Sequence, residues 1–227
     1  MSYDPSSRAR LSKRDLERFP EQTLFHAIAR TLCEAECLPR KELFESWEVA
    51  RRVRRRMRGG RVVDLACGHG LVAHIMLLLD DTAPSALAVD KRLPVSAHKV
   101  NAALTARWPR LEGRVVLEEK RIETVELRLG DHVVSCHSCG KLTDRILDLA
   151  ILARVPVAVL PCCQAKAVSD LGGLEGWMDT ALACDVTRAA RLRAHGHHVH
   201  TAKIPIEMTE KHRLLIGELP KGDAGSA

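Results

Sequence analysis

Aromatic residues are scarce: three phenylalanines, three tryptophans and one tyrosine make up 3% of the 227 residues. That leaves little material for a platform that stacks single-stranded bases. No apolar run approaches twenty residues, which excludes a membrane-spanning helix, and no apolar segment of a secretory leader stands near the N-terminus. No stretch repeats. Low complexity is confined to KGDAGSA, residues 221–227, read as a disordered tail. What is present suffices for a core: 46% of side chains are hydrophobic and 28% charged, at a length that suits one domain. Eight cysteines without a leader point to a reducing, cytoplasmic setting in which thiols stay unpaired. The opening MSYDPSSRARLSKRDLERFPEQ is rich in arginine and serine like a transit peptide. Asp4, Asp15, Glu17 and Glu21 interrupt it with acid, so it reads as a solvated arm.

The formal net charge is +6 with a pI near 9.0, which suits an anionic partner without demanding one. Seven of the eleven residues from Arg51 to Arg61 are arginines. They follow Leu43, Trp47, Ala50, Val53 and Met57, whose helical spacing predicts one buried stripe, so the arginines fall mostly on the opposite face. That face is either a solvated surface balanced by Glu42, Glu45 and Glu48 or a patch that tracks phosphates. On the second reading Arg51 to Arg58 contact RNA through backbone shape and charge. No membrane and no stable protein partner are expected.

From Arg61 onward, short β-type runs alternate with helical segments, the pattern of a parallel sheet covered by helices. The strands are RVVDLA, SALAVD, RVVLEE, DHVVSC and VPVAVLP. Between them LVAHIMLLLD, the stretch Pro94 to Trp108 and TDRILDLAILAR have crossover length, the last with Thr143 as expected cap and Asp144 near its positive end. A glycine-containing loop and a helix through about His195 follow. HVHTAKIPIEM and RLLIGEL, separated by TEKH, then read as a hairpin.

The most informative segment is VVDLACGHG, Val62 to Gly70. A hydrophobic strand ends in Asp64 and turns through Ala66, Cys67, Gly68 and Gly70 into a helix, so a ligand can lie against the backbone. The spacing differs from the G-x-G-x-x-G of dinucleotide folds. It resembles the first motif of class I S-adenosylmethionine-dependent methyltransferases, with Ala66 in place of the first glycine. That resemblance implies a Rossmann-like α/β fold: a seven-stranded, mostly parallel sheet with a C-terminal antiparallel hairpin, plus N-terminal helices. Residues 59–220 would form the methyltransferase domain, with residues 1–58 packed on it as an arm and helices. The implied cofactor is S-adenosyl-L-methionine. Asp90, ending the second strand, would accept hydrogen bonds from its ribose, with Lys91 beside it; Arg121, Ile122 and Glu123 would lie near the adenine.

VVSCHSCGKLTD, Val133 to Asp144, raises a separate question, because Cys136, His137 and Cys139, with Cys162 and Cys163 further on, have ligand types that zinc uses. The carboxyl ends of strands in an open parallel sheet form the ligand crevice, which brings these residues together without a metal. Alternation along the strand is expected to turn Cys136 toward a helix layer. Cys33 and Cys37, one helical turn apart, could offer two more ligands but also read as small buried hydrophobes. Within HGHHVH, His197 and His198 are expected on opposite faces.

His137, Cys139, Gly140, Thr143 and Asp144, followed by the pair in LPCC, resemble one methyltransferase branch: that of the eukaryotic tRNA 2'-O-methyltransferases of the acceptor stem and related domains. The resemblance covers about Arg61 to Leu219 and lacks that branch's zinc modules. It implies an RNA acceptor, with a hydroxyl target ahead of a base carbon. His137 would be the general base, or a neutral residue hydrogen-bonded beside the cofactor. Asp144 would orient a donor or cap its helix. Cys139 and Cys163 would be apolar wall, or one would attack a pyrimidine base to activate it. RNA cytosine-5 methyltransferases carry aspartate and proline before the fourth-strand cysteine, where this chain has His137 and Ser138. The motif that binds an exocyclic amine in adenine N6 methylation is absent from the sequence.

Overall fold

The computed structural model describes residues 4–136, 138–161, 170–210 and 212–220. His137, Cys162, Cys163 and the tail 221–227 lie outside the described residues.

Five strands run parallel: β1 (Arg61–Leu65), β2 (Ala86–Asp90), β3 (Val115–Glu119), β4 (Asp131–Cys136) and β5 (Val157–Leu160). β6 (His198–Lys203) and β7 (Arg213–Glu218) close the sheet as an antiparallel pair, with β7 against β5. The order is β3-β2-β1-β4-β5-β7-β6, so the chain leaves β1 in one direction and returns to pair β4 on its other side. That reversal opens a crevice beyond the carboxyl ends of β1 and β4.

Alternating side chains divide the core in two. Val62, Ala88, Val134, Ala158 and Ile216 face a layer that includes α1 (Leu24–Ala35), α2 (Arg40–Val53), α3 (Leu71–Leu79) and α4 (Val95–Arg107). Val63, Val89, Val133, Val157 and Leu215 face α5 (Lys141–Ala153) and α6 (Thr180–Ala194). β1 and β5 are buried on both faces, which is why they read as unbroken apolar runs. The N-terminal helices share the first core with the sheet.

Three local expectations are corrected, and the arginine run is resolved in detail. Thr143 does not cap its helix: α5 begins at Lys141, and the fully buried Thr143 hydroxyl donates back to the Ser138 carbonyl (2.6 Å). Ile204 to Met208 do not extend β6; Pro205 has no N–H for the ladder, and its carbonyl accepts from Met208 in a turn (3.1 Å). Cys136 does not turn wholly to a helix layer, since it packs there only in part and also lines the crevice. The arginine face is partly balanced by Glu48 and partly drawn inward, with Arg55, Arg56 and Arg58 exposed. α2 ends at Val53, Arg51 and Arg52 bind Glu48, buried Arg54 pairs with Asp80 (2.8 Å), and Arg61 forks onto Asp131 (2.7 and 2.8 Å). Arg56 reaches Glu218 at 3.7 Å, leaving Arg55 and Arg58 as exposed arginines of the run without a described ion pair.

Candidate functional site

The β1–α3 turn is built on left-handed backbone, with φ of 57° at Ala66, 56° at Gly68 and 69° at Gly70. Ala66 therefore takes a conformation that costs a non-glycine residue about 1–2 kcal/mol, held by its neighbours' hydrogen bonds. Cys67 N–H donates to Val89 O (3.0 Å), Gly70 N–H to Cys67 O (2.9 Å) and Gly68 N–H to an Asp90 carboxylate oxygen (3.0 Å). The tips of β1 and β2 are thus tied into one floor. A Cβ on Gly70 would come within 2.9 Å of Leu117 and 3.3 Å of Ala88, whereas one on Gly68 would meet only Glu42 Oε1, at 3.8 Å. Gly70 is needed for packing, and Gly68 keeps the surface above it open.

Above this floor is a cleft of about 970 Å³, at the upper end of ligand-pocket sizes. It gathers Ala66, Cys67, Gly68 and Asp90 with Cys136 and Cys139 from the β4 tip. Glu42, Glu45 and Ser46 of α2 form one wall, and Glu207, Thr209 and Glu210 of the β6–β7 loop another. Among the described lining residues carboxylates outnumber the cations Arg8 and Lys41, which favours a cationic guest on these walls.

Asp64 does not line the cleft. It is 1% exposed beneath the turn, one oxygen accepting from Ala73 N–H (3.3 Å) and the other, Oδ1, without a hydrogen-bond partner among the described residues. Burial pushes its pKa up to about 8, opposed by the Ala73 N–H and reinforced by the charges of Glu42 and Asp90. Burial likewise raises the Cys67 thiol, so it stays protonated at neutral pH.

Other expected site residues stand elsewhere. Lys91 and Arg121 are exposed, Arg121 lying 3.5 Å from Glu123 in an ion pair, while Ile122 is buried in the second core. None of these lines the cleft. Asp144 accepts two hydrogen bonds from Arg188, at 2.8 and 3.1 Å, and is not a cleft residue either. Arg188 is 2% exposed and also donates to Gly140 O (3.2 Å); nearby Asp185 binds Arg213 of β7 (2.7 Å). Through Arg188, Asp144 and Gly140 tie the start of α5 to α6.

The site's ancestry follows from comparison with known proteins. The family described as "Methyltransferase domain" matches residues 42–169, more than half of the chain. The chain belongs to that methyltransferase family. Solved structures share the architecture of this methyltransferase. They include an O-methyltransferase family protein from Burkholderia thailandensis, with a TM-score of 0.54, 18% identity, and coverage of 94% of this chain and 64% of that one. The pyocyanin biosynthetic protein PhzM gives 0.51 and 18%, covering 91% and 61%. A tRNA methyltransferase from Bacillus subtilis gives 0.51 and 11%, covering 78% and 67%. At such identities the likeness is one of fold, and the methyltransferase spans about 64% of the length of the Burkholderia protein. No curated protein matches it significantly.

The strand order and closing hairpin are those of class I S-adenosylmethionine-dependent methyltransferases. Among the described residues of this methyltransferase, no group of three histidine, cysteine or acidic side chains is placed to hold a metal ion. Cys33 and Cys37 are buried in the first core, where burial raises both thiols, that of Cys33 to about 12. His197 is buried against Val155 O (3.1 Å) while His198 is exposed. Also among the described residues, no helix is long and apolar enough to cross a membrane.

Sequence reasoning missed the Glu42–His69–Ser96 chain. His69 Nδ1 lies 2.8 and 2.9 Å from the Glu42 carboxylate oxygens, and Nε2 lies 2.8 Å from Ser96 Oγ. This chain fastens the start of α2 to the turn and to α4. A histidine inside the small-residue turn was a visible signal; Glu42, from a helix outside the motif, was not.

Proposed function

We propose that the protein is an S-adenosylmethionine-dependent methyltransferase acting on RNA, at a hydroxyl ahead of a base carbon. Residues 59–220 form the catalytic domain and residues 1–58 a helical cap. The observation that carries the reading is the single cleft that joins Ala66, Cys67 and Gly68 to Asp90 and to the β4 tip.

The residues present fit the cofactor. Asp90 uses its oxygens for Gly68 and Arg92 N–H groups, yet each carboxylate oxygen accepts more than one hydrogen bond, leaving capacity for a ribose diol. Gly68 leaves the turn open. Glu42 and Asp90 place negative charge beside the turn, which suits a ligand carrying an ammonium and a sulfonium. When bound, the cofactor supplies an electrophilic methyl group. The protein's task is then to orient the acceptor, exclude water and remove a proton. The protonated Cys67 thiol does not compete as a nucleophile. His137 follows Cys136, which lines the cleft, and is assigned as the base for an acceptor hydroxyl; Cys139 contributes wall.

The RNA acceptor rests on the likeness of HSCGKLTD and LPCC to the tRNA 2'-O-methyltransferase branch, on the net charge of +6 and on exposed Arg55 and Arg58. A small-molecule acceptor is the second reading, favoured by the carboxylates of Glu45, Glu207 and Glu210 around the cleft, which repel phosphate. Methyl-labelled cofactor incubated with total RNA, protein and metabolite fractions separates the two. Label in RNA that survives alkaline hydrolysis as a dinucleotide supports 2'-O-methylation; label only among metabolites overturns the RNA reading.

A further inference from the structure

The N-terminal arm, expected to be solvated, is instead tied down. Leu11 is fully buried and its N–H donates to Leu38 O (2.9 Å), while the Arg40 and Lys41 N–H groups donate to Ala9 O and Ser7 O (both 2.9 Å). Arg10 forms an antiparallel bridge with Pro39. These bonds lay the arm along the entry to α2, so that Ser6 and Arg8 line the cofactor cleft. α4 brings further cations to the same side. Glu42 of the cleft wall binds His69, and His69 lies against Ser96 in the first turn of α4. Lys99 stands three residues beyond Ser96, on the same helix face. Lys99 and Arg10 both act on Cys37: burial raises that thiol, and the charges of Lys99 and then Arg10 oppose the rise. Lys91 and Arg92 follow the cleft residue Asp90 into the loop that leads to α4. Arg8, Arg10, Lys91, Arg92 and Lys99 are exposed, and none makes a side-chain ion pair or hydrogen bond with a described residue.

The opposite wall of the cleft carries exposed Glu207 and Glu210. The mouth is therefore polarised, with carboxylates on the β6–β7 loop and guanidinium and ammonium groups on the arm and the start of α4. Cations without an internal partner can take a phosphate in a charge-assisted hydrogen bond and break no contact in doing so. Arg55 and Arg58, the exposed arginines after α2, stand at its far end, roughly 20 Å along the helix from Glu42. We propose that the arm and the start of α4 form the surface that holds the phosphate backbone of the RNA acceptor, with Arg8 leading the strand into the cleft. The inner carboxylates then serve the cofactor, and the backbone stays on the basic side of the mouth. The inference rests on the RNA reading of the substrate.

The test is fluorescence anisotropy of an end-labelled RNA hairpin with the full chain, as wild type and as two double variants. One combines Arg10→Glu with Lys99→Glu; the other combines Arg55→Glu with Arg58→Glu and alters the net charge equally at a distant place. Thermal unfolding reports folding, and titration of S-adenosylmethionine reports the cleft. The Arg10, Lys99 variant is expected to weaken RNA binding about tenfold more than the Arg55, Arg58 variant and to lower the salt slope by about one to two, with cofactor affinity unchanged. Equal losses in the two variants, or a greater loss on changing Arg55 and Arg58, overturn this surface while the RNA reading stands. A folded wild type that does not bind RNA overturns the RNA reading itself, and the proposal with it. If the Arg10, Lys99 variant does not fold, Arg10→Ala with Lys99→Ala, which removes the charges without reversing them, carries the same comparison against Arg55→Ala with Arg58→Ala.

Discussion

Replacing Arg188 by methionine isolates the contact that anchors the β4–α5 loop. The guanidinium is 2% exposed and donates twice to Asp144, once to Gly140 O and, more weakly at 3.4 Å, to Asp185. Removing one partner of a buried ion pair costs about 3–5 kcal/mol, because the other charge is left uncompensated. Asp144 keeps 23% exposure and has Arg191 at 3.9 Å, so water and a second cation soften the loss. The lower end, about 3 kcal/mol, is expected. For a chain of this length that lowers Tm by about 6–12 °C. Thermal and denaturant unfolding of Arg188→Met, of Asp144→Leu and of the double variant give the coupling directly. The double variant should recover much of the loss, since an apolar pair of similar volume removes the stranded charge. A single variant within about 1 kcal/mol of wild type, or a double variant no better than Arg188→Met, refutes the idea that this pair holds the loop.

Asp64 makes stability depend on pH. The folded carboxyl, raised to about 8, keeps its proton where the unfolded chain, at 3.8, has lost it. Stability is therefore fully present below about pH 4 and declines as pH rises toward about 8; Asp64→Asn should flatten this slope in denaturant titrations across that range, and parallel slopes would contradict it. The turn glycines should separate by function. Gly70→Ala meets Leu117 and Ala88 and should cost about 2–4 kcal/mol of stability, whereas Gly68→Ala should cost about 1 kcal/mol but lose cofactor affinity. Equal Tm losses in the two variants would refute that division.

How much of this was legible depends on the range of the interaction. β1, β2, β4 and β5 were readable because burial of parallel strands selects short β-branched runs, and RVVDLA, SALAVD, DHVVSC and VPVAVLP are that text. The floor of the cleft was readable for a related reason: small residues must stand where backbone approaches backbone, as at Gly70. Ion pairs between distant segments left no such trace. The arginine run read as a surface, solvated or phosphate-tracking, because Asp80, Asp131 and Glu218, which bind Arg54, Arg61 and Arg56, lie far along the chain. The ion pair of Asp144 with Arg188 was hidden for the same reason, the two residues standing on different helices far apart in the chain. Composition likewise says nothing of clustering: the fold brings Phe19, Phe25, Phe44 and Trp47 together in the N-terminal layer. In the C-terminal hairpin the pairing was legible, while the end of β6 was set by Pro205.

The central claim is that the cleft over Ala66 to Gly68 holds S-adenosylmethionine through Asp90. Isothermal titration of the cofactor into wild type and Asp90→Asn tests it most directly. The expected result is micromolar-range affinity for the wild type and a loss of about tenfold or more on removing the carboxylate charge. No binding by the folded wild type, or equal affinity in both proteins, would contradict the claim.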